Sequence, residues 1–268
     1  MERSQTKGLL GYAPSTEAQI VFRAADRSKS RMQLDQHLVP IDNVRGVANT
    51  LSFDRNGFLF LKRPTAVKDF HDVQQVDRIY LPEIEAIVRE ATGAEKVICF
   101  GTVVRTDDDA SSDGNRPARF AHVDFDERTV QRFAREILGV SDAEYWLRRR
   151  HMQLNIWRPI RPVERMPLAL ADASGIRSSD LVIMETYGGL NDPNRPVMYG
   201  YALLHRPEQR WWYAPEMQPD EIWVFKMYDS DRCKVQLTAH TAFSDPDTRP
   251  DALPRESIEV RTIAFMPN

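Results

Sequence analysis

Six histidines in a chain of 268 residues are the first candidates for chemistry, and two of them stand in metal-like settings. In the segment FAHVDFDE, His122 and Asp124 are two residues apart, so on a strand both side chains project from one face. His240, in KVQLTAHTAF, follows a predicted strand and is the natural third ligand. Two histidines and one carboxylate can bind ferrous iron and leave three adjacent positions open. By itself the H-x-D spacing is a weak signal, because a solvated ion pair or a hydrogen-bonded histidine gives the same pattern.

A second pair of residues suited to binding an anion follows near the C terminus. In PRESIEVRTIAF, Arg255 and Ser257 lie two residues apart on a predicted strand, fifteen residues after His240. A guanidinium fork beside a hydroxyl suits the distal carboxylate of a dicarboxylic cosubstrate, because arginine binds a carboxylate through two parallel hydrogen bonds. The alternative is that Arg255 and Ser257 are an exposed pair on an edge strand. The presence of H-x-D and His240 in the same chain disfavours this alternative.

The segment NIWRPI offers a third group of candidates. Alternation along a strand puts Asn155 on one face and Arg158 on the other, so only one of them faces the cavity. Asn155 could hydrogen-bond the cosubstrate or a metal-bound carboxylate. Arg158 could neutralise a substrate carboxylate, or pair with Glu164 or Asp172 instead. Tyr187, before two glycines at a strand end, could overhang the site or simply cap the core.

Composition and charge exclude several classes of function. Lysine and arginine total 36 against 39 aspartate and glutamate, so no basic excess indicates a nucleic-acid partner. No apolar run is long enough to cross a bilayer, the N terminus has no signal-peptide core, and two distant cysteines form no disulfide framework. These features predict a soluble cytoplasmic protein. Phosphate cradles, nucleophile elbows and H-E-x-x-H motifs are missing, which leaves metal-centred chemistry or none.

The elements that must position these residues are mainly short strands. The pattern predicts a helix over 69–92, restarted at Pro82, and further helices over 127–138 and 141–150, the last capped by Ser141. A polar loop is expected over 107–119. Strands are predicted over 19–24, 57–62, 95–105, 153–158, 180–186, 197–204, 221–228, 234–239 and 257–265. Many short strands at this spacing indicate a mainly β fold with flanking helices, as an antiparallel sandwich, barrel or jelly roll.

The order HVD (122–124), His240 and R-x-S (255–257) resembles the Fe(II) and 2-oxoglutarate-dependent oxygenases. The segments LNIWRPIRPVERMPLALAD, DLVIMETYGG, WWYAPEMQPDEIWVFKMYDSD and AHTAFSDP are similar to the fungal hydroxylase/desaturase group related to gibberellin desaturase and the cephamycin methoxylase component. The resemblance covers roughly residues 8–265. It implies a double-stranded β-helix (jelly roll, cupin-like) core in one oxygenase domain over 1–268, with N-terminal strands and helices (1–95) packing on a core (96–268) that carries the metal site.

The resemblance also implies the cofactors and the reaction. Iron(II) is expected on His122, Asp124 and His240, and 2-oxoglutarate on Arg255, Ser257 and Asn155, with O2 as the third reactant. The expected activity is hydroxylation, desaturation or oxidative cyclisation of a small secondary-metabolite or amino-acid-derived substrate, with decarboxylation of 2-oxoglutarate to succinate. Arg158 and Tyr187 are the candidates for substrate contacts, and Arg158 favours an anionic or zwitterionic substrate.

The sequence leaves two other functions open. One is an accessory or binding subunit of the same fold that acts with a partner protein, although an intact triad with an intact R-x-S argues against a non-catalytic scaffold. The other is a cupin-like metal enzyme that does not use 2-oxoglutarate. A homodimer or a complex with a partner enzyme is also open, whereas no nucleic-acid or membrane partner is expected.

Overall fold

Two β-sheets packed face to face frame the molecule in a computed structural model of the chain. The structure describes residues 4–16, 19–23, 30, 33–108, 115–188 and 196–268. The strands of these residues are Gln5–Tyr12 (β1), Gln19–Arg23 (β2), Asp35–Asn43 (β3), Phe58–Lys62 (β4), Lys96–Thr106 (β5), His122–Val123 (β6), His151–Pro159 (β7), Leu168–Ala171 (β8), Leu181–Tyr187 (β9), Pro196–Leu203 (β10), Trp211–Tyr213 (β11), Glu221–Asp229 (β12), His240–Ala242 (β13) and Glu256–Phe265 (β14).

One sheet has the order β1-β3-β11-β8-β13-β6-β10-β9-β2, and the other has the order β4-β12-β7-β14-β5. The helical segments of the described residues are Val73–Gln75 (α1), Leu81–Thr92 (α2), Glu127–Leu138 (α3) and Val140–Leu147 (α4), a π-helix over Val76–Tyr80, and 3₁₀ turns over Val44–Thr50, Ala173–Gly175 and Ser178–Asp180. The chain therefore has the expected mainly β, jelly-roll architecture with flanking helices. None of the helices in the described part of the chain combines the length and apolar character that crossing a membrane needs.

The five-stranded sheet is buried on both faces. Along β7, Leu154 and Ile156 belong to the cluster that packs against Ile84 of α2, whereas Trp157 belongs to the cluster between the two sheets. Strands covered on both faces are apolar at nearly every position rather than at alternate ones. All nine residues of β7 are buried, including the polar ones. Burial alone therefore does not show which polar side chains of β7 face the site.

The N-terminal strands extend both sheets instead of forming a separate layer. β3 pairs with β11 in parallel, and β4 pairs with β12 in an antiparallel arrangement. Strand β4 lies close to the predicted range 57–62, but β1 and β3 were not predicted. The division of one domain into an N-terminal part (1–95) and a core (96–268) stays a prediction.

Several predicted element boundaries change in the structure. The π-helix changes to an α-helix at Leu81, so the long helix restarts beside Pro82 as expected. Its last residue is Thr92, and Gly93, which follows, has a left-handed backbone conformation (φ 70°). Helix α4 begins at Val140 after Gly139, so Ser141 is not its cap. Of the polar loop expected over 107–119, positions 109–114 lie outside the described residues.

The strand predicted over 234–239 does not form. Hydrogen bonds from side chains hold this segment in turns: the Asp231 carboxylate accepts from the amide of Cys233, and Gln236 Nε2 donates to the carbonyl oxygens of Asp231 and Lys234. These local bonds compete with a strand ladder. Regular pairing resumes only at His240, which is the position that matters for the site.

Candidate metal centre

The structure brings His122, Asp124 and His240 together on the nine-stranded sheet. β6 and β13 are neighbours, and His122 lies directly opposite His240 in their antiparallel pair. The two imidazole rings have centroids 4.3 Å apart. One potential ligand atom from each of the three residues lies within 4.8 Å of the others. This separation suits three ligands of one small metal ion, because ligand atoms 2.0–2.2 Å from a metal lie roughly 3–4 Å apart.

Neighbouring groups orient two of these ligands. His122 Nδ1 lies 2.8 Å from the carbonyl oxygen of Phe120, and because a carbonyl can only accept, Nδ1 carries the proton and Nε2 is free for a metal. Asn155 Nδ2 donates to Asp124 Oδ2 at 2.8 Å, which leaves Oδ1 for the metal. Gln153 Nε2 donates in turn to Asn155 Oδ1 at 2.9 Å. Such outer hydrogen bonds fix ligand geometry at metal sites.

The protonation states of the site also suit a metal. Burial acts to raise the pKa of Asp124, but the neighbouring His122 and the positive charge of Arg261 lower it, and the net pKa lies well below its ordinary value. Burial, followed by repulsion from His122, lowers the pKa of His240 to about 3. At neutral pH, therefore, Asp124 is a carboxylate and His240 is neutral, which are the forms that bind metals.

A close approach of two strands shapes the backbone at the first two ligands. Gly200 on β10 lies against the segment that carries them, and a Cβ atom there would overlap the carbonyl oxygens of Val123 and Asp124. The glycine thus permits β10 to pair tightly with β6. This requirement was not predicted, because nothing in the sequence around 196–203 identifies the strand that faces the H-x-D motif.

Arg255 immediately precedes β14, and Ser257 is the second residue of that strand. The buried guanidinium of Arg255 lines the same cavity as His122 and His240 and lies 5.4 Å from the ring centroid of Trp157. Its Nη1 donates to the carbonyl oxygen of Met166 at 2.8 Å. Within the described ranges, Arg255 Nε and Ser257 Oγ are buried without a hydrogen-bond partner. Buried donors without partners are costly, so the pair fits an anionic ligand that would satisfy them.

Asp107 fixes the backbone at Arg255. Its Oδ1 accepts from the amide of Arg255, and its Oδ2 accepts from Arg165 Nε at 2.7 Å. Asp107 is buried, although the sequence predicted it in a polar, exposed loop. We therefore regard it as a positioning residue for Arg255 that the sequence did not reveal.

Arg158 does not face the cavity, which corrects its predicted substrate contact. It points to the helix side of β7, where Nε donates to the Tyr80 hydroxyl at 3.1 Å and the two Nη groups donate to the carbonyl oxygens of Pro219 and Arg63. Its predicted alternative partners were Glu164 and Asp172, and neither is among these acceptors. Asn155, on the opposite face, is the residue of this segment that reaches the site.

We expect Arg158→Met to destabilise the fold without changing the site. The substitution removes the donor of the half-buried carbonyl oxygens of Pro219 and Arg63 and of the buried Tyr80 hydroxyl, so the free energy of unfolding should fall by about 1–3 kcal/mol. Urea denaturation measures this loss. The affinity of the folded variant for 2-oxoglutarate should equal that of the wild type. A weaker affinity would restore Arg158 to the binding site.

Tyr187 also lies away from the triad. Ala202 of β10 pairs with His122 on one side and with Val182 of β9 on the other. Tyr187 is five residues beyond Val182 along β9, which is about 16 Å at the rise of a strand. Its hydroxyl donates to Glu185 at 2.8 Å, and Arg23 lies over its ring. Its predicted position over the site is therefore wrong. Of the two glycines after it, the second lies outside the described residues.

The sequence also missed three charged residues near the cavity. Arg105 of β5 and Glu259 of β14 line it together with Arg255. Arg261 lies next on the same face of β14, 3.5 Å from Glu259, with its guanidinium 5.1 Å from the ring centroid of Phe125. A signal was present for Glu259 and Arg261, because in SIEVR (257–261) polar residues alternate with the apolar Ile258 and Val260.

Comparison with known proteins shows which proteins this chain resembles. The model of a family described as "Oxidoreductase/YMDC permease-like domain" matches residues 11–265. The alpha-ketoglutarate-dependent dioxygenase phiK of Fungal sp. (strain ATCC 74256) is 28% identical, over 94% of this chain and 92% of that protein. The hydroxylase/desaturase efuI of Hormonema carpetanum is also 28% identical, over 88% of this chain and 86% of that protein.

A solved structure gives the same fold. The iron and alpha-ketoglutarate-dependent endoperoxidase NvfI superposes with a TM-score of 0.88 over 100% of both chains, at 24% sequence identity. The resemblance inferred from the sequence is confirmed at the level of these relatives, which are named as Fe(II)/2-oxoglutarate-dependent dioxygenases and hydroxylase/desaturases. The finer relation to gibberellin desaturase and the cephamycin methoxylase component stays a prediction.

Proposed function

We propose that this chain, which belongs to the "Oxidoreductase/YMDC permease-like domain" family, is an Fe(II)/2-oxoglutarate-dependent dioxygenase that acts on a small molecule. One observation carries the proposal. The ligand atoms of His122, Asp124 and His240 converge within 4.8 Å beside the buried Arg255 guanidinium, whose Nε has no partner among the described residues. A metal triad and an anion site in one cavity are what a ferrous ion and a dicarboxylate together require.

In this proposal His122, Asp124 and His240 hold the ferrous ion, and Arg255 with Ser257 holds the distal carboxylate of 2-oxoglutarate. When bound, iron, 2-oxoglutarate and O2 supply the oxidising power to remove hydrogen from an unactivated carbon, with succinate and CO2 as coproducts. The protein binds and orients these groups. Hydrogen bonds with Phe120 and Asn155 orient His122 and Asp124, respectively.

The residues around the anion site also exclude water. Arg255, Ser257 and Trp157 are each at most 2% exposed, so a carboxylate bound there exchanges solvent for fixed donors. Charge-assisted hydrogen bonds are strongest in such surroundings. The sequence offered Asn155 two partners, 2-oxoglutarate or a metal-bound carboxylate, and we assign it to the second, as the residue that positions Asp124.

The substrate and the outcome at carbon belong to this proposal as well. Relatives carry the names hydroxylase/desaturase and endoperoxidase, and we propose hydroxylation, desaturation or oxidative cyclisation of a small secondary metabolite or amino-acid-derived compound. The expectation of an anionic or zwitterionic substrate depended on Arg158 and is withdrawn with it. The cytoplasmic location and a homodimer or partner enzyme stay predictions.

An anaerobic titration tests the proposed function. Metal-free protein receives iron(II) and then 2-oxoglutarate, and the visible charge-transfer band of the iron chelate is recorded. We expect the band to develop with saturable dependence on 2-oxoglutarate. Iron binding without a band would favour a cupin-like metal enzyme that does not use this cosubstrate. A protein that binds no iron would favour the accessory-subunit function.

A further inference from the structure

Two guanidinium groups from different strands face one small cavity. Arg105 of β5 and Arg255, which immediately precedes β14, both line the space beside His122 and His240. In the antiparallel pair of β5 and β14, Arg105 lies directly opposite Ser257. Directly opposite residues project from the same face of a sheet with Cβ atoms about 5 Å apart. The side chain of Arg105 therefore leaves the backbone beside Ser257 and on the same face of the sheet.

The acidic residues nearby are already engaged. Asp107 accepts from Arg165 and from the backbone of Arg255, and Glu259 lies 3.5 Å from Arg261. In the part of the chain that the structure describes, Arg105 makes one hydrogen bond, from Nη1 to the carbonyl oxygen of Arg116 at 3.3 Å. No ion pair thus joins Arg105 to a carboxylate of the described residues.

The two positive charges repel each other across the cavity. The pKa of Arg255 is lowered to about 9, first by burial and then by the charge of Arg105, which outweigh the opposite effect of the Asp107 and Glu259 carboxylates. Bringing two like charges into a poorly solvated cavity is unfavourable unless an anion lies between them. A carboxylate has two oxygens and about four acceptor positions, so it can accept from both guanidinium groups and from a serine hydroxyl at once.

Resting on the proposed function, we propose that Arg105 is a second binding residue for the distal carboxylate of 2-oxoglutarate. The carboxylate is then held between β5 and β14, by Arg105 from one strand and by Arg255 and Ser257 from the other. The three buried or half-buried donors gain an acceptor, and the repulsion between the guanidinium groups is neutralised. A ligand that lacks this carboxylate gains nothing from Arg105.

The test compares two ligands by calorimetry with Mn(II)-loaded protein. 2-Oxoglutarate carries the distal carboxylate, and 2-oxopentanoate has a methyl group in its place with the same carbon chain. We expect Arg105→Met to bind 2-oxoglutarate about 10- to 100-fold more weakly than the wild type, the loss of one charge-assisted interaction. Its affinity for 2-oxopentanoate should not change. Arg119→Met, which removes an exposed guanidinium from the neighbouring segment, serves as the matched control.

Each other outcome overturns the inference in a recognisable way. An unchanged affinity for 2-oxoglutarate would remove Arg105 from the carboxylate site. Equal losses of affinity for both ligands would mean that Arg105 either contacts the metal end of the ligand or only stabilises the fold. The Mn(II) affinity of the variant distinguishes these two roles. Arg105→Lys, which keeps the charge but loses the planar fork, should give a smaller loss than Arg105→Met. If the wild type binds neither ligand, the proposed function fails and the inference falls with it.

Discussion

His240→Ala is expected to lower the affinity for Mn(II) or Fe(II) by a factor on the order of 10³ or more, about 4 kcal/mol. The imidazole is one of the three ligands that we propose, and it is 95% buried and opposite His122. Its pKa of about 3 means that it binds metal without first losing a proton at neutral pH. Alanine leaves a position that only water can fill. Electron paramagnetic resonance of free Mn(II) during titration measures the affinity.

A matched control keeps this result specific. His71 is exposed and is not part of the cluster of His122, Asp124 and His240, so His71→Ala should bind Mn(II) as the wild type does. His240→Gln keeps a side chain of similar reach and a polar end, and it shows whether the loss follows from the missing ligand or from an unfilled site. Thermal unfolding of the metal-free variants reports on the fold. Retention of wild-type affinity by folded His240→Ala would disprove the triad.

The metal ligands could be predicted because their geometry is local. Side chains two residues apart on a strand share a face, which predicts that His122 and Asp124 converge; they do so in the structure, although β6 ends at Val123 and Asp124 follows it. The same rule places Arg255 with Ser257. His240 required more than spacing, since only the pairing of β6 with β13 brings it opposite His122. There the resemblance to the oxygenases supplied what the spacing could not.

The face of β7 could not be predicted, because both of its faces are buried. A strand with one exposed face reveals its orientation through alternating polarity, but β7 lies between the other sheet and α2. Asn155 and Arg158 were therefore equal candidates for the cavity. The structure resolves them by the partners each one finds: Asp124 for Asn155, and Tyr80 with two carbonyl groups for Arg158.

Arg105 and Asp107 were missed for a different reason. Their place beside Arg255 depends on the register between β5 and β14, strands about 150 residues apart in the sequence. Asp107 in particular sits in a run of acidic residues that is typical of a solvated loop, yet it is 6% exposed and holds the backbone of Arg255. Contacts set by long-range register leave no pattern in the local sequence.

We expect Arg255→Lys to bind 2-oxoglutarate about 100-fold more weakly than the wild type, although it keeps the positive charge. The guanidinium offers several donors in a fixed plane: Nη1 is taken by Met166, and the buried Nε remains for a ligand. An ammonium group on a shorter side chain cannot serve both. Calorimetry with 2-oxoglutarate and 2-oxopentanoate measures the loss, which should affect only the first ligand. Arg89→Lys, on the exposed side of α2, is the control.

The double variant Arg105→Met/Arg255→Lys separates a shared carboxylate from two independent anion sites. If both arginines bind the same distal carboxylate, removing one lets that carboxylate shift, and the losses in 2-oxoglutarate affinity are not additive. Residues that act on separate groups give additive losses. An additive result, or an Arg255→Lys variant with wild-type affinity, would contradict the assignment of this cavity to one carboxylate held from two strands.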